Sequence, residues 1–430
     1  MAEPTNTPMP PSTPVPASTP RSASPAPDHA QLATTPGSTQ VIRAVRNRPV
    51  VLHIGDPVKY NPTMYAEFSS DFEIVRPSTP ERERGEFIQA LKKRRWGDFD
   101  AIFRPFWGSG GEMGRWDAEL IDLLPESVRV FASAGAGFDW ADTKLLGEKG
   151  IFYCNSGLAA AEAVADFAVA MIISTFRHLP WCMNAATFPP PSTPSSPSHT
   201  DTLAREVFQA CHAQATAASH NPRGHTLGLI GFGNIGQQIA AKLGNPTFGM
   251  RIAYHDVVRK PPRLESALGA AFHPTLDSLL QASDCVVLCT PASPDGKPLI
   301  TAAALASFRH GSRFVNVARG SLVDEDALAD ALDAGVVSAA ALDVHAGEPR
   351  VNPRLVRMAM QVALPGDDDA QGGEGGKRLP GPGRVMLTCH NAGGTVETHV
   401  GFEELSMRNI SAVLKGEEPV TAVNLQYLRR

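Results

Sequence analysis

The sequence predicts an α/β protein built from two doubly wound parallel-sheet domains, one flavodoxin-like and one Rossmann-like. Three observations predict it. The chain has 430 residues, more than a single hydrophobic core organises, which is about 250 to 300 residues. Short unbroken runs of Val, Ile, Leu, Phe and Ala alternate with stretches of helical spacing, and such runs are what strands covered on both faces look like. The run ending at Ile230 leads straight into Gly231-Phe232-Gly233-Asn234-Ile235-Gly236, a glycine turn that joins a strand to a helix.

The first 46 residues stand apart. Ten of the first 40 are proline, Ser and Thr fill much of the rest, and large apolar side chains are nearly absent. Such a segment cannot bury enough surface to offset the entropy of ordering it, so residues 1–46 are expected to be a disordered tail. The prolines, with Arg21 the lone Arg of the first 40 residues, argue against an Arg-rich amphipathic targeting helix.

Order is expected from 49–56, Pro-Val-Val-Leu-His-Ile-Gly-Asp, an apolar run closed by a turn. Strands at 72–75, 101–104, 128–132 and 151–153, with helical stretches at 84–93 and 118–124, complete a first βα series. This series defines a substrate domain over 47–158. A long apolar helix over 160–175 follows. The second series has strands at 226–230, 251–255, 285–289, 313–317, 339–342 and 385–388, the six of a full dinucleotide fold. It defines a dinucleotide-binding domain over 159–392, after which 393–430 is expected to complete the first domain. Low-complexity stretches near 187–203 and 363–383 read as flexible surface insertions.

Lys and Arg number 39 against 44 Asp and Glu, a formal charge of −5. The short run Lys92-Lys93-Arg94-Arg95 reads as a solvated helix end, so neither nucleic acid nor an anionic membrane is an expected partner. The apolar segment 163–173 reads as too short to cross a bilayer and carries Asp166, so no membrane span is expected. Six scattered cysteines with no Cys-x-x-Cys pair read as reduced thiols of a cytoplasmic protein.

In the glycine turn, Gly231 permits the sharp bend and Gly233 lets backbone amides approach a pyrophosphate. Gly236 lets the helix opened by Asn234 and Ile235 pack on the strand, with its N-terminus turned to the phosphates. Asp256, twenty residues beyond Gly236, closes the next strand, where a carboxylate accepts both ribose hydroxyls and repels a 2′-phosphate. NAD is therefore expected in preference to NADP, with Arg259 and Lys260 close enough to leave the second cofactor open.

Three side chains downstream suit hydride chemistry on a 2-oxo acid. The guanidinium of Arg319 can clamp a planar carboxylate, the imidazole of His390 can give or take a proton near neutral pH, and the carboxylate of Glu348 can hold that imidazole protonated. Each also has an ordinary reading: a strand-end salt bridge for Arg319, a turn carboxylate before Pro349 for Glu348, a core histidine for His390.

Five blocks in one order carry a resemblance. They are Ala134-Gly135-Ala136-Gly137-Phe138-Asp139-Trp140, His220-Asn221-Pro222-Arg223-Gly224-His225 leading into the glycine turn, and Phe314-Val315-Asn316-Val317-Ala318-Arg319-Gly320. Ala341-Leu342-Asp343-Val344-His345-Ala346-Gly347-Glu348-Pro349 and Leu387-Thr388-Cys389-His390-Asn391-Ala392-Gly393-Gly394 complete the set. From residue 48 to about 425 the chain resembles the D-isomer-specific 2-hydroxyacid dehydrogenases, and among them the fungal D-mandelate dehydrogenase branch.

The resemblance implies NAD-dependent reduction of a small 2-oxo acid to the D-2-hydroxy acid, and the reverse. It makes His390 the acid that protonates the carbonyl oxygen and Glu348 its partner. Arg319 would clamp the substrate carboxylate and carbonyl oxygen, helped by the backbone amides of Ala134 and Gly135. Asp343 would anchor the nicotinamide carboxamide, and Thr290, Pro291, Ala318 and Gly393 would lie along the cofactor. A homodimer through the nucleotide domain is implied as well, with the helix over 160–175 as a candidate contact.

The chain also departs from the family's pattern. Where many relatives have proline before the histidine it has Cys389, read as packing in preference to a redox thiol. Where many have a hydroxyl residue before Glu162 it has Ala161, which removes one cofactor hydrogen bond. Phe106 and Trp107 fall in the loop that lines the family's side-chain pocket and suit an aromatic or bulky aliphatic 2-oxo acid, or else belong to the core. His345 is expected in an exposed loop, His220 and His225 in packing at a hinge, and no metal site is expected. Two other functions share the architecture. Formate dehydrogenases carry glutamine in place of Glu348, and a nucleotide-sensing corepressor scaffold is disfavoured by the near absence of basic runs.

Overall fold

The computed structural model describes residues 48–105, 113–188, 197–293, 296–360 and 383–428. The tail 1–46, Phe106, Trp107 and most of both insertions lie outside the described residues; from Pro197 the chain is helical to Ala218.

Five parallel strands form the first sheet: β1 (Val50–His53), β2 (Glu73–Val75), β3 (Ala101–Arg104), β4 (Val130–Ser133) and β5 (Phe152–Cys154). Their order is β2-β1-β3-β4-β5, the flavodoxin-like arrangement. β1, β3 and β4 bury every residue, because both faces of the sheet are covered. Leu52, Ile102 and Phe131 pack on one face with Phe87 and Leu120. Val51, Phe103 and Val130 pack on the other with Met407, Ile410 and Val413. Those last three lie on the helix Val396–Lys415, so the C-terminal part of the chain returns to the first sheet. Asn424 Oδ1 there accepts the Tyr153 backbone N–H at 2.9 Å.

The second sheet has seven parallel strands: β6 (Thr226–Ile230), β7 (Arg251–His255), β8 (Ala270–Phe272), β9 (Cys285–Leu288), β10 (Ser312–Asn316), β11 (Val337–Leu342) and β12 (Val385–Leu387). Their order is β12-β11-β10-β9-β6-β7-β8, which is the dinucleotide-fold order with one more strand at the β12 edge. Six strands were expected, and β8 is the one the sequence hid. It is a three-residue edge strand, Ala-Ala-Phe, with Ala271 exposed, and alanine carries little strand preference. The glycine turn follows β6, where the strand order reverses between β7 and β9. Crevices beyond the strand ends at such a reversal are where ligands bind.

The long apolar helix runs Gly157–Arg177, two to three residues further at each end than expected. By length and composition alone it is long enough to cross a membrane, with a mean hydropathy of 1.7, which corrects the reading of this segment as too short. Yet 56 % of that apolar window is buried inside the protein. Ala165, Ala168, Met171 and Ile172 pack against Leu229, Val287 and Val315 of the second sheet, so its apolarity is accounted for by core packing.

Candidate active site

Parallel pairing sets the ends of β10, β11 and β12 side by side, and Arg319, Glu348 and His390 each follow one of those ends. Asn316, the last residue of β10, is almost wholly buried. Its Nδ2 donates to the Arg319 carbonyl and its Oδ1 accepts the Ala318 N–H, both at 3.0 Å, which shapes the turn that presents Arg319. Gly320 then lies directly on the next strand end, where a Cβ would overlap the His345 carbonyl group. Only glycine lets the two turns meet.

Asp343, 1 % exposed, closes β11 and organises the turn that carries His390. Its backbone carbonyl accepts the His390 N–H at 2.7 Å. Its carboxylate accepts the Thr388 hydroxyl at 2.7 Å, the Asn391 N–H at 3.0 Å and the Ala392 N–H at 2.8 Å. His390 itself sits at φ +56°, a left-handed conformation that costs a residue with a side chain and persists where its surroundings impose it. The resemblance gives this carboxylate to the nicotinamide; the three bonds described here all go to the His390 turn.

Within that frame His390 Nδ1–H donates to Glu348 Oε2 at 2.9 Å, and the His345 backbone N–H donates to Glu348 Oε1 at 2.8 Å. Burial pushes the Glu348 carboxyl up, but the His390 hydrogen bond, the His345 N–H and their charges outweigh it and hold the carboxyl below its ordinary value. His390 is 47 % exposed, not the core histidine of the ordinary reading, and it is Nδ1 that the Glu348 contact engages. His345 is the one that is buried, at 6 %, with Nε2 bonded to the Thr388 carbonyl at 2.8 Å. This corrects its expected place in an exposed loop, because the Gly320 turn covers it.

Arg319 reaches to the loop after β4. Its Nε donates to Asp139 Oδ1 at 3.0 Å and its Nη1 to the Ala318 carbonyl at 2.8 Å. The guanidinium lies flush on Gly137, where a Cβ would fall on Nη2. The salt-bridge reading of Arg319 is thus realised, with a partner on the first sheet's side. Ala134 requires a correction: its N–H already donates to the Arg104 carbonyl at 2.8 Å, so sheet pairing closes it to a substrate carboxylate. Gly135, at φ +86°, turns the chain out of that pairing.

The glycine turn forms a cradle of the shape a dinucleotide needs. Gly231 takes φ +94°, and a Cβ on it would press on the Cys289 carbonyl at the end of β9. Gly233 has open space where a Cβ would be, so backbone amides can be approached closely. Gly236 in the helix Asn234–Leu243 packs on the Gly231 carbonyl. Asp256 Oδ2 accepts the Phe232 N–H at 2.8 Å and pairs with Lys260 Nζ at 3.0 Å. Burial pushes its carboxyl up, and these two contacts bring it below the usual range. Thr290 and Pro291 continue from β9 beside this turn. Ala318 is 5 % exposed, and Gly393 lies near Ala160 and Val164 of the Gly157–Arg177 helix. Ala161 is buried in that same helix.

Cys389 is exposed, which overturns its reading as a packing residue. His220 and His225 lie 6.0 Å apart between ring centres, with His225 against Phe176. Among the described residues no cluster of three or more His, Cys, Asp or Glu could hold a metal. Asp139 and Gly137 were missed as site residues although both stand in the Ala134–Trp140 block, because nothing local indicates that Arg319, 180 positions away, lands on them.

The sequence family described as D-isomer specific 2-hydroxyacid dehydrogenase, NAD binding domain, matches residues 197–365. The chain is 31 % identical over 370 residues to 4-methyl-2-oxopentanoate reductase A of Aspergillus oryzae, covering 86 % of this chain and 96 % of that protein. It superposes on the holo form of Rhodotorula graminis D-mandelate dehydrogenase with a TM-score of 0.74 and 35 % identity, over 87 % of this chain and 97 % of that one. A similar fold, TM-score 0.61 at 26 % identity over 89 % of this chain and 99 % of the other, is that of an NADPH-dependent glyoxylate/hydroxypyruvate reductase from Sinorhizobium meliloti.

Proposed function

Because the chain belongs to the D-isomer specific 2-hydroxyacid dehydrogenase family, we propose that it reduces a 2-oxo acid to the D-2-hydroxy acid with NADH, and runs the reverse oxidation. The observation that carries this reading is the His390–Glu348 hydrogen bond at the end of the strand next to the one that presents Arg319.

A nicotinamide cofactor held at the Gly231–Gly236 turn and Asp256 would supply the hydride in reduction and accept it in oxidation. Arg319 binds the substrate carboxylate and holds the carbonyl carbon in line, and its charge offsets what builds on the carbonyl oxygen. A lysine would not give the same planar fork. Gly135 contributes its amide. His390 Nε2 gives the proton to that oxygen, and Glu348 orients the imidazole by accepting from Nδ1. In oxidation His390 takes the proton from the hydroxyl.

Residues 47–158 with 393–430 are assigned as the substrate domain and 159–392 as the nucleotide domain. The substrate is assigned as a 2-oxo acid with a bulky apolar side chain, a reading supported by relatives named for 4-methyl-2-oxopentanoate and mandelate. A cytoplasmic homodimer completes the proposal. Met183 and Phe208, 66 % and 59 % exposed on neighbouring helices, offer an apolar surface for it.

The test is NADH oxidation with glyoxylate, hydroxypyruvate, phenylglyoxylate and 4-methyl-2-oxopentanoate, followed by chiral analysis of the product of the last three, since glycolate has no stereocentre. Turnover giving the D product is expected. No oxidation with any of the four acids, or an L product, would overturn the reading.

A further inference from the structure

The loop that follows Asp256 contains two cations, and each is neutralised by its own carboxylate. Lys260 Nζ is 3.0 Å from Asp256 Oδ2. Arg259 is held in a fork by Glu265 instead: Nε to Oε1 and Nη2 to Oε2, both 2.9 Å. Glu265 lies on the helix Pro262–Leu268 with its side chain 11 % exposed, whereas that of Arg259 is 59 % exposed. Tyr254 Oη donates to Glu265 Oε1 at 2.6 Å and accepts the Lys260 backbone N–H at 2.9 Å, which fixes the fork to β7 and to the loop. The Arg259 guanidinium further lies 5.3 Å from the Phe272 ring centre on β8. The Arg259 hydrogen bond, then that of Tyr254, hold the Glu265 carboxyl at about 2, so the fork is charged at any physiological pH.

A 2′-phosphate on the adenosine ribose would bring close to two negative charges to the Asp256 strand end. An enzyme that accepts it needs a guanidinium or ammonium free to meet it. Building on the NADH reading above, we propose that Glu265 is a specificity-determining residue that keeps Arg259 engaged and unavailable to a 2′-phosphate, so that NADPH is rejected by the Asp256 carboxylate and also denied the Arg259 guanidinium. Discrimination then has an attractive element withheld as well as a repulsive one present.

The experiment is equilibrium binding of NADH and NADPH, followed by cofactor fluorescence, to the full chain and to Glu265→Gln, Arg259→Ala and the double variant. Wild type should bind NADH about tenfold or more tightly than NADPH. Glu265→Gln keeps the side-chain shape and removes the charge. It should tighten NADPH about threefold and leave NADH within about twofold. Arg259→Ala in the wild-type background should change neither affinity, and in the Glu265→Gln background it should abolish the gain.

Unchanged NADPH affinity in a Glu265→Gln protein that still binds NADH would overturn the proposal. So would a loss of NADPH affinity in Arg259→Ala alone, since that would mean the guanidinium already meets the phosphate. The Arg259→Ala arm stands even if Glu265→Gln does not fold. Failure of wild type to bind either nucleotide would be a different result, removing the cofactor reading itself and this proposal with it.

Discussion

His390 and Glu348 form a directed pair, Nδ1 to Oε2 at 2.9 Å, in which the second carboxylate oxygen is held by the His345 backbone N–H at 2.8 Å. The imidazole is thereby oriented from behind by a carboxylate that is itself fixed. Because the Glu348 carboxyl lies below its ordinary value in the folded chain, the stability it contributes is fully present above the unfolded value, about 4.3. That contribution is lost as pH falls through the lower folded value.

Glu348→Gln tests both consequences. The stability difference between wild type and variant should be constant above about pH 5 and shrink below about pH 4, as followed by urea unfolding at several pH values. Removing the carboxylate also removes the acceptor that orients the His390 ring through Nδ1, so kcat/KM for 2-oxo acid reduction should fall. Unchanged kcat/KM in Glu348→Gln would mean that Glu348 does not act on His390.

Gly137→Ala should injure substrate binding while sparing the fold. The added methyl occupies the space of Arg319 Nη2, and the far end of a flexible side chain yields cheaply, so the melting temperature should shift little. A guanidinium displaced by about 1 Å loses alignment with the substrate, and kcat/KM should fall about a hundredfold. NADH affinity should be unchanged. Full activity in Gly137→Ala would show that the position of Arg319 against this loop is immaterial.

Asp343→Ala separates two roles for a buried carboxylate. If it holds the His390 turn through Thr388, Asn391 and Ala392, its loss leaves buried donors unmet and should cost about 2–4 kcal/mol. The turnover rate should fall with it because His390 loses its left-handed seat. A variant of wild-type stability that bound NADH poorly would instead assign Asp343 to the nicotinamide.

Much of the fold was legible because β1, β3, β4, β6 and β9 are covered on both faces, which writes itself as short, mostly apolar runs. β8 was not, since a three-residue alanine-rich edge strand is defined by its pairing with β7 and not by its own residues. The block around His390 and Glu348 could be read because strand, turn and side chain follow one another locally. The seat of Arg319 on Gly137 and Asp139 could not, because it forms between segments 180 positions apart. The amide of Ala134 was misread for a related reason: the Arg104 carbonyl that engages it belongs to the neighbouring strand. His345 followed the same logic, its burial depending on the Gly320 turn that lies over it. In the loop after Asp256 all the charges are near in sequence, yet only the fold decides that Lys260 takes Asp256 and Arg259 takes Glu265.

The central claim is that His390 is the acid in reduction, and the most direct test is single-turnover oxidation of bound NADH by the best 2-oxo acid in His390→Ala. The rate should fall about 10²- to 10⁴-fold with NADH bound as tightly as in wild type. Reduction at a rate within a few fold of wild type would contradict the assignment.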